Sequence, residues 1–395
     1  MSALNHTPAE ESLLAMMPAG EARKHFAATG LPGRKDEGWR WTDLRRVLSA
    51  PLEASDPTPP KNIPLAPVPM PEAIEVVFSQ DTVASPTTLP AGISITQDEP
   101  YAIKGRSEMA RIAAALSKSP TTLCIEKSCE TPIMIRHVAT KAGLSATHLQ
   151  IHIAANVETV IVETYETHEG VSNALVEYFL AENAKLTRVI VQKGNQAAVV
   201  ISSSLAILMA GAKLDQTTIG FGAKLARMET KVQHVGVGAS AILNGISLLK
   251  GKSHLDHTSV IDHIMPGCET RELYKAAITG RARGVFQGKF LVKQGAQKTQ
   301  AQMAHHALLL SQTAEVRAKP ELEIYADDVE CAHGNTVGAL DDDAIFYMRQ
   351  RGVSEAQARA MLVQAFLSEV IEQIQDEKIR QQFETLVGDW MGAQI

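Results

Sequence analysis

The segment DDVECAHGNTVG, residues 327–338, brings together two side chains that bind soft metals. Cys331 and His333 are separated by one residue, so on a β-strand they point to the same side, roughly 6–7 Å apart. A closed metal site usually has four ligands, so two ligands make an open site. The others would come from elsewhere in the fold, from a second protein or from the cargo. Spacing alone favours a simpler interpretation, a buried cysteine beside a histidine that is hydrogen-bonded to a turn.

The residues before this pair predict a bulge or a sharp corner. Leu322 and Ala326 share one strand parity, whereas Cys331 and His333 share the other, and the alternation slips at residues 327–328. The neighbouring carboxylates oppose thiolate formation, so a free cysteine nucleophile is poorly supported. A bound metal would instead deprotonate the thiol.

The segment HLDHTSVIDH, residues 254–263, is a second dense group of potential ligands. His254 and Asp256 fall on one face of a strand, which suggests a metal hydrolase as the alternative function. The spacing matches no zinc motif, and polar residues on the outside of stacked coils satisfy one another. The ionisable residues of the group are His254, Asp256, His257, Asp262 and His263.

The segment GISLLKGKS, residues 245–253, superficially resembles a phosphate-binding loop. Five residues instead of four separate Gly245 from Gly251, and a strand-like HLDH follows where the motif requires a helix. We therefore predict a strand and a turn here, and no ATP hydrolysis by this chain.

The composition predicts a folded cytoplasmic protein. Of the 395 residues 45% are hydrophobic and 21% charged, which allows a substantial core. The net charge of −6 argues against non-specific nucleic-acid binding. The N-terminal segment has no basic region of a signal peptide, four cysteines are too few for a disulfide framework, and no membrane association is expected.

The composition and the hydrophobic periodicity of the sequence divide the chain into three parts. Residues 1–72 predict an N-terminal helical region with a proline-rich linker, and residues 341–395 predict a C-terminal helical domain. Residues 73–340 consist of short β-branched runs with a small recurring unit, NAKL, GAKL, GAKL and GASAIL, beginning at positions 183, 211, 222 and 238. Such units suit the corners of a stacked β-solenoid, although the intervals are irregular and a β-sandwich remains the alternative.

Two further patterns concern the C-terminal third. Residues 273–314 contain six cations and no acid, whereas residues 321–343 contain eight acids and no Lys or Arg, so oppositely charged bands are expected to lie close together. A capping box, Ser354 with Gln357, opens a helix. Its predicted apolar stripe is Met361, Leu362, Ala365, Phe366, Val370 and Ile374.

Residues 319–352, KPELEIYADDVECAHGNTVGALDDDAIFYMRQRG, closely resemble the signature of the SufB/SufD family of the SUF iron–sulfur cluster assembly system. The segments at 272–302, 308–316 and 36–44 resemble the same family. The CAHG form of the motif, the modest length and the Trp-rich N-terminal segment favour the SufD branch. One departure is MAHHALLL, where family members more often have an Asn-containing run, so no role is assigned to His305 or His306.

The resemblance implies a mainly β fold, a right-handed parallel β-helix flanked by N-terminal and C-terminal helical regions. It implies a non-catalytic scaffold that pairs with SufB through the end of the β-helix and binds the ATPase SufC through its C-terminal helices. Cys331 and His333 match the family's Cys-x-His at the interface where a transient Fe–S cluster is held, with no cofactor bound tightly by this chain alone. A homodimer in the absence of SufB is left open. The residues expected to face SufC are Phe346, Tyr347, Arg351, Gly352 and Phe366.

Overall fold

The chain forms a long series of β-strands with helices before and after it. The computed structural model describes residues 5–56, 65–79, 82–97, 105–117 and 120–392. The strands in these ranges are β1 (Ile74–Ser79), β2 (Thr82–Ala84), β3 (Ile93–Thr96), β4 (Thr121–Ile125), β5 (Ile133–Ala139), β6 (Leu144–Ile153), β7 (Glu158–Thr167), β8 (Gly170–Leu180), β9 (Lys185–Gly194), β10 (Ala198–Leu208), β11 (Lys213–Gly220), β12 (Leu225–His234), β13 (Ser240–Leu249), β14 (His254–His263), β15 (Glu269–Ile278), β16 (Arg283–Val292), β17 (Gln300–Leu309), β18 (Glu315–Ile324) and β19 (Glu330–Gly338). The helices are α1 (Pro8–Met16), α2 (Glu21–Thr29), α3 (Leu44–Val47), α4 (Glu108–Leu116), α5 (Asp342–Arg349), α6 (Glu355–Ile371) and α7 (Glu377–Gly392).

The strands alternate between two sheets and stack as the coils of a parallel β-solenoid. The described strands form one sheet in the order β19-β17-β15-β13-β11-β9-β7-β5-β1-β2 and another in the order β18-β16-β14-β12-β10-β8-β6-β4-β3. The ladders are parallel except at the first end, where β2 and β3 pair antiparallel with their neighbours. The predicted fold class, a parallel solenoid with helices at both ends of the chain, is confirmed.

Residues in the left-handed backbone conformation lie at the corners, where backbone hydrogen bonds join successive coils. Asn183, Gly211 and Gly238 have φ of 57°, 64° and 67°. The N–H of Asn183 donates to the Ala210 carbonyl at 2.9 Å, and the N–H of Gly211 donates to that of Val237 at 3.0 Å. Asn and Gly are the residues that adopt this conformation at least cost. The recurring sequence unit therefore marks a backbone corner.

The irregular intervals of that unit arise because two regular series of corners are interleaved. Corners before the ten-stranded sheet recur from Asn183 through Gly211 to Gly238, at spacings of 28 and 27 residues. The unit that begins at Gly222 belongs to the other series, which continues at Gly251, 29 residues later, and leads into the nine-stranded sheet. Each series has the period of one coil.

The interior of the solenoid is largely apolar, and it contains a buried ion pair between Arg188 and Glu163. Arg188 donates from Nε and Nη2 to the two carboxylate oxygens of Glu163 at 2.6 and 2.9 Å. The hydroxyls of Tyr165 and Tyr178 also donate to Glu163. Both charged side chains are buried, and ion pairing holds the pKa of Glu163 below its usual value although burial, the largest influence, opposes this.

Helices α1 to α4 cover the outer face of the nine-stranded sheet. Residues of α1 to α4 pack with Leu144, Val171, Val199, Ile201 and Leu225 of that sheet. Part of the predicted proline-rich linker lies along the solenoid, since Ala54 forms a parallel bridge with Leu144. Residues 57–64 of this linker lie outside the described residues.

Helices α6 and α7 cover the outer face of the ten-stranded sheet. The predicted stripe of α6 was partly wrong. Met361 is 53% exposed and Ala365 is also exposed, whereas Val363 and Leu367 are buried against the sheet. The helix is apolar on more than one side, so the sequence alone does not show which side meets the sheet.

We expect Arg188→Met to destabilise the protein by ~3–5 kcal/mol, because the Glu163 carboxylate would stay buried without its partner. Adding Glu163→Gln should recover part of the loss, since the amide oxygen still accepts from the tyrosines. Urea unfolding followed by circular dichroism measures both effects.

The matched control is Lys185→Met on the same strand. Lys185 pairs with Glu158 at 3.3 Å with both side chains more than half exposed, so its loss should cost less than ~1 kcal/mol. Equal destabilisation by Arg188→Met and Lys185→Met would contradict the assigned role of the buried pair.

Candidate functional site

Cys331 and His333 lie on β19, the last strand of the ten-stranded sheet. Cys331 is opposite Ala301 and His333 is opposite Met303 on β17. Ala301 and Met303 are buried in the solenoid interior. The register therefore places both potential ligands at interior positions of the final coil. The predicted corner also forms, because the parity slip at residues 327–328 falls between β18 and β19.

The Cys331 side chain is half-buried. It packs against Val292, Ala296 and Ala326 near the last corner. Burial, the main influence, raises the pKa of the Cys331 thiol. The thiol is therefore protonated in the chain alone, and a cation would be needed to hold the thiolate.

His333 is exposed, because no further coil of the described chain covers its side of the strand. It borders a cavity of about 430 Å³ whose other walls include Glu369 and Gln373 of the C-terminal helical region. The same register position on earlier coils holds Met303 and then Glu272. An exposed imidazole thus stands above a column of buried side chains.

Glu272 is a buried carboxyl that sequence reasoning missed. One of its oxygens accepts from the Ser259 hydroxyl at 2.8 Å, and the other has no partner among the described residues. Burial raises the pKa of Glu272 to about 8. The group is therefore mostly protonated at neutral pH. On its strand Glu272 has the same parity as Tyr274, and it lies opposite Leu243 of the neighbouring strand. This alternation was the signal in the sequence that Glu272 points into the interior.

His305, to which the sequence assigned no role, is a buried support for the last strand. Its Nδ1 is 2.7 Å from Oδ1 of Asn335, the next interior position after His333. The ring stacks on Phe286 with the ring centroids 4.8 Å apart. Burial lowers the pKa of His305 to about 4, so the imidazole is neutral and donates to the amide oxygen. His306 has the opposite parity and lies within 2.7 Å of the Thr336 hydroxyl.

The two ends of the solenoid differ. The first end is closed by the short antiparallel strands β2 and β3. At the other end β18 and β19 are the terminal strands of their sheets in the described chain. Three large apolar side chains there are exposed, Ile324 by 40%, Tyr325 by 61% and Val337 by 49%. An uncovered strand edge with apolar neighbours is typical of a surface that pairs with another chain.

The residues predicted to face a partner from the C-terminal helices separate into two groups. Phe346 and Tyr347 on α5 are 62% and 58% exposed, and Arg351 stacks over the Tyr347 ring at 3.6 Å. Gly352 ends this segment with φ of 87°. Phe366 on α6 instead packs toward the solenoid.

The contacts of Phe366 explain its partial burial. Lys275 of β15 donates to the Phe366 carbonyl at 2.7 Å, and its Nζ lies 4.6 Å from the centre of the Phe366 ring. Phe366 therefore helps to attach α6 to the sheet.

The five ionisable residues of 254–263 do not converge. His254 and Asp256 face outward, where Thr42 contacts both of them and Arg227 Nη1 donates to Asp256 at 2.7 Å. His257 and His263 point inward, whereas Asp262 points outward at the far end of the strand. Alternation along β14 separates the ligands, which removes the geometric basis for a metal hydrolase.

Within the described ranges, no three His, Cys, Asp or Glu side chains form a group that could hold a metal ion. The likeness of residues 245–253 to a phosphate loop is also superficial, since they form the end of β13 and a turn. Among the residues that the structure describes, no helix combines the length and apolarity needed to cross a bilayer.

Comparison with known proteins agrees with these features. The family model for the SUF system FeS cluster assembly SufBD core domain matches residues 136–366, more than half of the chain. The chain belongs to the SufBD family. Its place in the SUF iron–sulfur cluster assembly machinery follows from that membership.

Individual similar proteins match beyond this domain, two of them over almost the whole chain. The iron–sulfur cluster assembly protein SufD of Escherichia coli (strain K12) is 28% identical over 391 residues, covering 93% of this chain and 92% of that protein. A SufBD family protein of Mycobacterium leprae (strain TN) is 28% identical and covers 95% of each chain. The chloroplastic protein ABCI7 of Arabidopsis thaliana is 31% identical over 64% of this chain and 56% of its own length. The predicted resemblance to the SufD branch is confirmed.

The raised pKa of Glu272 predicts a pH dependence of stability. The folded state holds a proton on this carboxyl up to about pH 8, whereas the unfolded chain releases it near pH 4.5. Stability should therefore fall as pH rises through this window, by a few kcal/mol in total. Glu272→Gln should flatten the decline in melting temperature between pH 5 and pH 8.

Glu269→Gln on the same strand is the matched control. Glu269 is partly exposed and pairs with Arg271 at 2.8 Å, so its removal should leave the pH dependence nearly unchanged. Identical pH profiles for Glu272→Gln and the unmodified protein would show that the Glu272 carboxyl is ionised in the fold.

Proposed function

We propose that this chain is a non-catalytic scaffold subunit of the SUF machinery, and that its open solenoid end pairs with SufB. The observation that carries the proposal is the uncovered final coil, in which the edges of β18 and β19 stand beside exposed apolar side chains. A second solenoid that continues the ladders would satisfy the free backbone groups and bury these side chains.

Cys331 and His333 occupy the interior positions of this final coil, at the proposed junction. Both would face the partner's first covering strand, so a nascent Fe–S cluster held there takes its remaining ligands from SufB or from the cargo itself. A thiol and an imidazole are both known ligands of iron–sulfur centres. The cluster is the cargo of this site, consistent with a pair of ligands that is incomplete by itself.

The C-terminal helices provide a second proposed contact, with the ATPase SufC. Phe346 and Tyr347 form an exposed aromatic pair on α5, flanked by Arg351. Aromatic residues and arginine are enriched at interaction hot spots. SufC then hydrolyses the nucleotide. The resulting conformational change of SufC is transmitted to the junction through the C-terminal helices, which are attached to the ten-stranded sheet.

Two double variants test the two contacts against each other. With SufB and SufC co-expressed, Tyr325→Asp/Val337→Asp should lose SufB from the purified complex, because two carboxylates would be buried without partners. Phe346→Asp/Tyr347→Asp should lose SufC and retain SufB. Composition is measured by affinity purification and native mass spectrometry. Met209→Asp, at a solenoid corner where Met209 is 47% exposed, should lose neither subunit.

Loss of both partners by both double variants would indicate misfolding or a shared surface, and circular dichroism of each variant separates these cases. Retention of SufB by Tyr325→Asp/Val337→Asp would contradict pairing through the solenoid end.

Cys331→Ala and His333→Ala should leave the complex assembled and lower its cluster content several-fold, because each removes one potential ligand from the junction. Cluster content is measured anaerobically by visible absorption and by iron and sulfide analysis of the complex. The matched controls are Cys124→Ala and His168→Ala, both remote from the final coil in the sequence. Unchanged cluster content in Cys331→Ala and His333→Ala would remove the proposed site while leaving the scaffold role standing.

A further inference from the structure

A large cationic cavity lies between the N-terminal region and the solenoid, away from the proposed cluster site. Its volume is about 740 Å³, within the range of small-molecule sites. Eight of its described lining residues are Lys or Arg and one is a carboxylate. The cations are Arg34, Arg40, Arg46, Lys224, Lys252, Arg281, Arg283 and Arg317, and the carboxylate is Asp43.

Coil stacking builds one wall of this cavity. Lys224, Lys252 and Arg281 occupy the corners that lead into β12, β14 and β16, three consecutive strands of the nine-stranded sheet. The coils are joined there by hydrogen bonds, as from the Arg281 N–H to the Gly251 carbonyl at 2.7 Å. The backbone at successive corners is thus about one strand spacing apart, ~4.8 Å. The wall therefore presents a column of cations whose backbone positions are set by the stacked coils.

Only part of this charge is neutralised by carboxylates of the protein. Asp43 lies 3.4 Å from Arg34, and Glu315 lies 2.9 Å from Arg283. Asp43 and Glu315 also make longer contacts of 4.0 and 3.9 Å with Arg46 and Arg317, respectively. The other four cations have no carboxylate within ion-pair distance among the described residues. These are Arg40, Lys224, Lys252 and Arg281.

This concentration of charge is unexpected in a chain whose net charge is −6. Like charges around one cavity repel one another and create a positive potential there, which an anionic ligand would relieve. His254 adds no charge, because burial lowers its pKa to about 4. The unmatched charge points to an anion with more than one negative charge.

The opposite wall offers a flat aromatic surface. Trp41 is partly exposed and lines the cavity together with Val47. Its segment is anchored, because the Arg227 guanidinium lies 4.1 Å from the centre of the preceding Trp39 ring. Nucleobases stack on such rings.

We propose that this cavity binds a nucleotide with two or more phosphate groups. The phosphates lie along the column of Lys252 and Arg281, and the base stacks on Trp41. A nucleic-acid strand suits the observations less well, because the cations are confined to one cavity on a protein that is acidic overall. The proposal does not depend on the role in cluster assembly, since Cys331 and His333 lie on β19 of the other sheet.

Titration calorimetry of the purified full-length chain with ADP and with pyrophosphate tests this site. Both ligands should bind, and Lys252→Ala/Arg281→Ala should weaken both by at least about tenfold because charge-assisted contacts to phosphate are lost. Trp41→Ala should weaken the binding of ADP severalfold and leave the affinity for pyrophosphate unchanged. The two probes therefore distinguish the phosphate wall from the aromatic wall.

The control Lys185→Ala/Lys213→Ala removes the same formal charge from exposed positions at the start of β9 and β11, about eight residues or ~26 Å along the strands from the corner that carries Lys224. It should leave both affinities within about twofold, because exposed charges farther away than the Debye length are screened. Absence of ADP and pyrophosphate binding to the unmodified chain would overturn the proposal. Equal losses of affinity in Lys252→Ala/Arg281→Ala and in the control variant would also overturn it. A single-stranded 12-mer oligonucleotide that binds more tightly than ADP and displaces it would overturn it as well.

Discussion

A coil of a β-solenoid is stable only against the next coil. Each strand of a parallel ladder bonds to two neighbours, and each inward side chain packs between those of adjacent coils. The chain satisfies this requirement at its first end with antiparallel strands that close the ladders. At its second end the described chain leaves β18 and β19 as terminal strands. The geometry of the candidate site, with its half-buried thiol and exposed imidazole, follows from that uncovered coil.

Stacking also aligns side chains that are distant in the sequence into columns on successive coils. From Glu272 to Met303 and from Met303 to His333 the chain advances by about thirty residues, yet the three side chains occupy one interior position on successive coils. The oppositely charged bands noticed in the sequence meet in the same way. Lys289 of β16 lies opposite Glu321 of β18 and reaches Glu323 at 2.6 Å. The register, more than sequence proximity, decides which groups interact.

This explains which features the sequence could predict. Corner residues and strand parity are local, so the β-solenoid, the corner at residues 327–328 and the common direction of Cys331 and His333 could be inferred. The separation of His254 from His257 follows from the same alternation, because residues three apart on a strand point to opposite faces. The two interleaved corner series were harder to detect, because a repeat found in one sequence does not show which sheet each unit precedes.

Contacts between distant elements could not be predicted. Thr42 contacts Asp256 across 214 positions of the chain, and nothing in either segment indicates the other. The burial of Val363 and Leu367 in place of Met361 depends on how α6 lies on the sheet, which helical periodicity does not determine. The same limit applies to the cationic cavity, whose two walls come from residues 34–47 and from coils that begin near residue 224.

The protonation of Cys331 links the fold to the proposed assembly. Burial by the last corner keeps the thiol neutral in the chain alone, which makes it a poor nucleophile and protects it from oxidation. A cation brought to the junction would reverse this balance, because metal coordination deprotonates a thiol outright. A second subunit that covers the final coil would deepen the burial of both ligands and strengthen their interaction with that cation by lowering the local dielectric constant. In the proposed complex, the metal therefore forms the Cys331 thiolate, and the partner strengthens the bond between the two.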